Sequence, residues 1–131
     1  MTRTTTYQNL IVWQKSMELV KLCYAILAKL PAHEKYALGG QITRSAVSIP
    51  SNIAEGYRRH SRKEYIQFCG VAAGSAAELE TQLLIVQEVY SSIVKDIDQA
   101  IDLVSEVQKI LYSLIEGLKR NPKPLTLHAT R

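Results

Sequence analysis

Apolar residues recur along this chain in alternating steps of three and four, the period of a helix that turns one face toward a partner. The pattern is clearest in the seam Tyr65, Cys69, Ala72, Ala76, Leu79, Leu83, Val86 and Tyr90. Ser61 with Glu64 three residues later is a capping-box pair that opens this helix, each side chain satisfying the other residue's otherwise unpaired backbone N–H. The helix predicted here runs from about Arg62 to Ser91. Gly70 and Gly74, one turn apart, each cost up to ~1 kcal/mol relative to Ala, and so predict the close approach of another helix. The run Leu83, Leu84, Ile85 and Val86 spreads around the helix, so part of it must meet a further surface.

A preceding helix is predicted from about His33 to Arg58, with Leu38, Ile42, Ala46, Ile49 and Ile53 on its apolar face. Pro50 removes a backbone donor and clashes with the carbonyl one turn earlier. Because the stripe stays in phase across it, a kink is expected and a break is not. Arg44, Ser48 and Glu55 form a polar stripe alongside, open to two readings. It is either a solvated face or a network in which Arg44 meets Glu78 or Glu80 of the next helix, specifying register more than adding stability.

The first helix, about Asn9 to Leu30, carries two apolar stripes side by side: Trp13, Met17, Val20, Tyr24, Leu27 and Val12, Leu19, Cys23, Ile26, Leu30. A simple bundle needs only about three apolar positions in seven, so this helix is expected to be deeply buried or to serve a subunit interface. The fourth, about Asp96 to Arg120, is similarly wide. Short connections make neighbouring helices antiparallel. The fold expected is all-α, an up-down-up-down four-helix bundle over residues 9–120, between an N-terminal tail 1–8 and a flexible C-terminal tail 121–131. The spare apolar surface predicts a homo-oligomer.

Composition agrees with one helical domain: 131 residues, 47% hydrophobic, with only 6 Gly and 4 Pro. No stretch nears the ~18 to 20 apolar residues of a membrane span, and the first residues do not resemble a signal peptide, so a cytoplasmic location without membrane contact is expected. Cys23 and Cys69 lie on apolar stripes outside any CxxC pair and read as reduced core thiols. His33, His60 and His128 fall at or beyond helix ends, and no Glu-x-x-His pair, P-loop, GxSxG or GxGxxG occurs. No enzymatic activity, metal or cofactor is expected.

The charge balance, 16 Lys and Arg against 12 Asp and Glu, is mild, but its distribution is not. Arg58, Arg59, Arg62 and Lys63 fall at the corner between the second and third helices, and the topology brings Arg3, Lys119, Arg120 and Lys123 to the same end. Glu34, Glu88, Asp96 and Asp98 fall at the other. Helix dipoles favour some of this arrangement in any case, and the corner equally suits an acidic protein surface. Tyr57 and Tyr65 flank the basic run and offer rings for base stacking, although Tyr65 fits the core seam better.

The segment AVSIPSNIAEGYRRHSRKEY followed by GSAAELETQL resembles the family of small proteins encoded in intervening sequences of bacterial 23S ribosomal RNA genes, over about Tyr7 to Arg120. The resemblance implies a four-helix bundle that assembles into a ring, a homopentamer, with no known activity. A related branch, the accessory protein of diversity-generating retroelements, forms a similar basic ring and contacts nucleic acid and a reverse transcriptase. The function expected is therefore weak, non-specific RNA or DNA binding by a non-enzymatic oligomer through Arg58, Arg59, Arg62, Lys63, Lys119 and Arg120. The alternative is a ring-forming scaffold or adaptor for a protein partner.

Overall fold

The computed structural model describes residues 6–120, apart from the side chains of residues 94–96. Its helices are α1 (Ile11–Lys29), α2 (Leu38–Tyr57), α3 (Arg62–Val89) and α4 (Val94–Arg120), with short 3-10 turns at Tyr7–Asn9, Ala32–Glu34 and Ser91–Ile93. There is no strand among the described residues.

Local chemistry accounts for the helix starts. Ser61 Oγ accepts the Glu64 N–H at 3.0 Å and fixes the first turn of α3. The start of α2 is later than the periodicity predicts, because Ala32–Glu34 takes a 3-10 turn and Glu34 Oε1 then accepts the Leu38 N–H at 3.4 Å. From there α2 runs unbroken through a buried Pro50, with Ile42, Ala46, Ile49 and Ile53 fully buried on both sides of it.

Each helix packs on its two sequence or closure neighbours, α1 on α2 and α4, α3 on α2 and α4, while diagonal pairs barely meet. That is the antiparallel up-down-up-down bundle. The α3 seam from Tyr65 to Val86 is buried throughout, facing Val12, Leu19, Cys23 and Ile26 of α1 and Ile97, Ala100, Val104, Val107 and Leu111 of α4 within one core. Burial pushes the thiols of Cys23 and Cys69 up to about 12, so both stay protonated and unreactive.

Several expectations change once the helices are placed. On α1 only the stripe containing Val12, Leu19, Cys23 and Ile26 is fully inside; Met17 and Tyr24 remain 39% and 52% exposed, so the helix is not deeply buried. A Cβ added at Gly70 or Gly74 would meet nothing within 4 Å, so no helix of this chain makes the close approach those glycines suggested. Leu84 and Ile85 face outward while Leu83 and Val86 enter the core.

The polar stripe of α2 divides. Ser48 Oγ is 2.8 Å from Ser75 Oγ and accepts from Asn52 Nδ2 at 2.9 Å, which ties α2 to α3, whereas Glu55 pairs with Arg59 just past the end of α2. Glu80 is not a partner of Arg44: its Oε1 accepts from Gln108 Nε2 of α4 at 3.3 Å, because position 80 lies on the α4 side of α3. Arg44 and Glu78 do share a groove, but no ion pair joins them among the described residues.

Candidate nucleic-acid interface

The corner between α2 and α3 is built around a close crossing. A Cβ at Gly56 would lie 2.7 Å from Phe68 Cβ and 3.3 Å from the Tyr65 carbonyl, so the last turn of α2 and the first turns of α3 meet at a distance only glycine permits. The backbone then leaves α2 through Arg58 N–H to Ala54 O at 3.2 Å and Arg59 N–H to Gly56 O at 3.1 Å, and re-enters helix at the Ser61 cap. These constraints push residues 58–61 outward, and Arg58, Arg59, His60 and Lys63 are all exposed.

The cations differ in how free their charge is. Arg59 donates from Nη2 to Glu55 Oε2 at 2.6 Å, and its guanidinium lies 5.0 Å from the Phe68 ring centre. Arg58 sits 5.7 Å from the ring of Tyr7, which itself meets Trp13 edge-on at 5.4 Å. Arg62 is half-buried, and its Nε is buried with no hydrogen-bond partner among the described residues. Lys119 lies 3.8 Å from Glu116, and Arg120 is exposed at the end of α4. The topology carries that end to the same side of the bundle as the α2–α3 corner. Arg3 and Lys123 lie outside the described residues.

Tyr57 is no stacking platform for bases. It is 7% exposed and meets Tyr65, 3% exposed, in a T-shaped pair at 5.9 Å with rings at 88°. Burial is the first cause that pushes the Tyr65 hydroxyl upward. The aromatic rings that do meet the corner arginines are Tyr7 and Phe68, neither of which the sequence singled out. The Glu55–Arg59 pair was legible as an i,i+4 spacing at the end of a helix; the Tyr7 contact, between residues 51 positions apart in the chain, had no local signal.

Among the described residues no three His, Cys, Asp or Glu side chains come together to hold a metal, and no helix is long and apolar enough to cross a membrane.

A four-helix bundle with one basic end and buried thiols defines the class of protein. The chain belongs to the 23S rRNA-intervening sequence protein family, whose pattern matches residues 8–113. It is similar in fold to a crystal structure of a protein of unknown function from the S23 ribosomal protein family of Bacteroides thetaiotaomicron, at 24% identity and a TM-score of 0.74, covering 80% of this chain and 98% of that one. No curated protein matches it.

Proposed function

We propose that this protein is a non-enzymatic, cytoplasmic ring, a homopentamer as the family resemblance implies, that binds RNA or DNA weakly and without sequence preference through its basic end. The observation that carries the reading is the convergence of Arg58, Arg59, Arg62 and Lys63 with Lys119 and Arg120 on one end of the bundle. Repetition around a ring turns a modest patch into a rim of positive potential, which attracts phosphate backbones through counterion release. Lys63, Arg58 and Arg120 supply most of the contact, since Arg59 and Lys119 already have carboxylates beside them.

Binding of single-stranded RNA and duplex DNA, followed by anisotropy across a salt series, tests this. Each neutralised phosphate contributes about −0.7 to −0.9 to the slope of log affinity against log salt. Replacing Arg58, Arg59, Arg62 and Lys63 together with Gln should lower both affinity and slope while the oligomer persists. An intact oligomer that binds as well as the parent removes the site assignment. A discrete protein recovered with the native oligomer after nuclease treatment, with no bound nucleic acid, supports the scaffold reading in its place.

A further inference from the structure

Beside its core seam α3 carries a second heptad stripe, Val71, Ser75, Glu78, Gln82, Ile85 and Val89, of which Ser75 and Gln82 are buried at the edge of α2 while Val71, Glu78, Ile85 and Val89 stay exposed. Its outer members Val71, Ile85 and Val89 are 48%, 43% and 62% exposed. Its middle forms one wall of a groove of about 460 Å³ whose other wall is Arg44, Ser45 and Ser48 of α2. Polar residues at the centre of a seam with apolar residues at its ends are a helix-docking pattern, in which the polar centre fixes register.

The groove is chemically incomplete. Gln82 is 8% exposed, yet its Oε1 is buried without a hydrogen-bond donor. An acceptor in that condition carries a desolvation cost that a donor from outside the chain would offset. Glu78, one turn away along the stripe, adds an unpaired carboxylate, and among the described residues neither it nor Arg44 makes an ion pair. The occupant must therefore bring a cation or N–H donor to the α3 wall and apolar groups above and below it.

One surface of this chain has that chemistry. The outer face of α1 presents Met17, Lys21 and Tyr24 at steps of four and three, with Met17 and Tyr24 exposed and Lys21 between them. Glu18 on the same face has the sign to meet Arg44. Helices α1 and α3 are diagonal in the bundle, so the two surfaces point away from each other and cannot meet within one copy.

Their heights also agree. Leu27 lies 3.6 Å from a Cβ placed on Gly39, which sets the antiparallel register of α1 and α2, and the Ser48–Ser75 hydrogen bond sets that of α2 and α3. Six residues back from Leu27 and six on from Gly39 place Lys21 level with Ser45; three back from Ser48 and three on from Ser75 place Ser45 level with Glu78. A rotation without translation thus brings Lys21 of one copy to Glu78 of the next.

We propose that the α2–α3 groove receives the outer face of α1 from a second copy, with Lys21 donating to Glu78 and Gln82 Oε1, Met17 on the Val71 side of that contact and Tyr24 on the Ile85 side. The contact is head-to-tail, so repeated rotation closes a ring, and all basic ends point the same way. The inference rests on the self-assembly in the proposed function and assigns the faces that carry it.

The test is a charge exchange followed by sedimentation velocity at micromolar concentration, with circular dichroism as a check of folding. Lys21→Glu and Glu78→Lys are each expected to raise the dissociation concentration by about tenfold or more, because each places like charges across the contact, and the double exchange should restore most of the loss. The neutral variant Glu78→Gln, which keeps shape and helix propensity, should weaken assembly less than the reversal does. Helical single variants that assemble like the parent, or a double variant that recovers nothing, overturn the interface while leaving the ring intact. A parent that is monomeric under these conditions overturns self-assembly itself.

Discussion

Glu34 holds three parts of the chain together. Its Oε2 accepts from the Tyr90 hydroxyl at 2.6 Å, its Oε1 accepts the first amide of α2, and His33 Nε2 lies 3.9 Å away, so the α1–α2 connection, the start of α2 and the end of α3 meet at one carboxylate. The Tyr90 hydrogen bond is the main cause that holds the Glu34 carboxyl below its ordinary value, and the same bond from Glu34 is the main cause that raises the Tyr90 hydroxyl. A lowered carboxyl contributes stability above its unfolded pKa and loses it as pH falls through the folded value; a raised phenol contributes below its unfolded pKa and loses it as pH rises through the folded one. The melting-temperature difference between the parent and Tyr90→Phe should therefore be largest near neutral pH and shrink toward both acid and alkali. A difference independent of pH would mean that the hydroxyl matters only through packing.

Glycine shows how one residue type takes opposite roles on different elements. At Gly56 the crossing of α2 over α3 leaves no room for a methyl group, so Gly56→Ala should destabilise the fold by about 1–3 kcal/mol in a denaturant titration, the cost of overpacking. At Gly70 and Gly74 nothing lies within 4 Å, and each change to Ala should stabilise the isolated bundle by up to ~1 kcal/mol through helix propensity alone. A loss of stability at either position would place another chain against that face. The α3 sequence predicted its buried seam through Val86 and its N-cap correctly, because both depend on residues within one or two turns of each other. The close approach suggested by Gly70 and Gly74 is made by no helix of this chain, because helical spacing identifies residues that share a face without saying what that face meets.

On the scale of the whole molecule, the α1 face and the α2–α3 groove each depend on how their helix is rotated in the bundle, and α2, which walls the groove, packs on both α1 and α3. Pro50 sits buried at the middle of that shared helix, without the N–H that would bond one turn back. Pro50→Ala restores the donor and should raise helicity and bundle stability. If the proline sets the curvature of α2, the same change alters the spacing of groove and face and should weaken assembly at the same time. Greater helicity with unchanged oligomer mass and dissociation would assign Pro50 no part in shape. The two proposed surfaces are separate, so variants of the corner and of the groove should act independently, the first on salt-dependent binding and the second on assembly.

The residues 58–63 were identifiable from sequence because a charge run between two helical periods can lie only at a corner, and the antiparallel order then dictates which helix ends accompany it. The hydrophobic seams were identifiable for a similar reason: burial on a helix follows a period of 3.6 residues, which local spacing records. Tertiary structure decided the rest. It placed Tyr57 in the core beside Tyr65, gave Arg58 and Arg59 the rings of Tyr7 and Phe68, turned Glu80 to Gln108, and left Met17, Tyr24, Glu78 and Ile85 facing outward. Each outcome depends on the rotation of a helix about its own axis and on the crossing at Gly56, which are set jointly by side chains far apart in the chain and which no local periodicity contains.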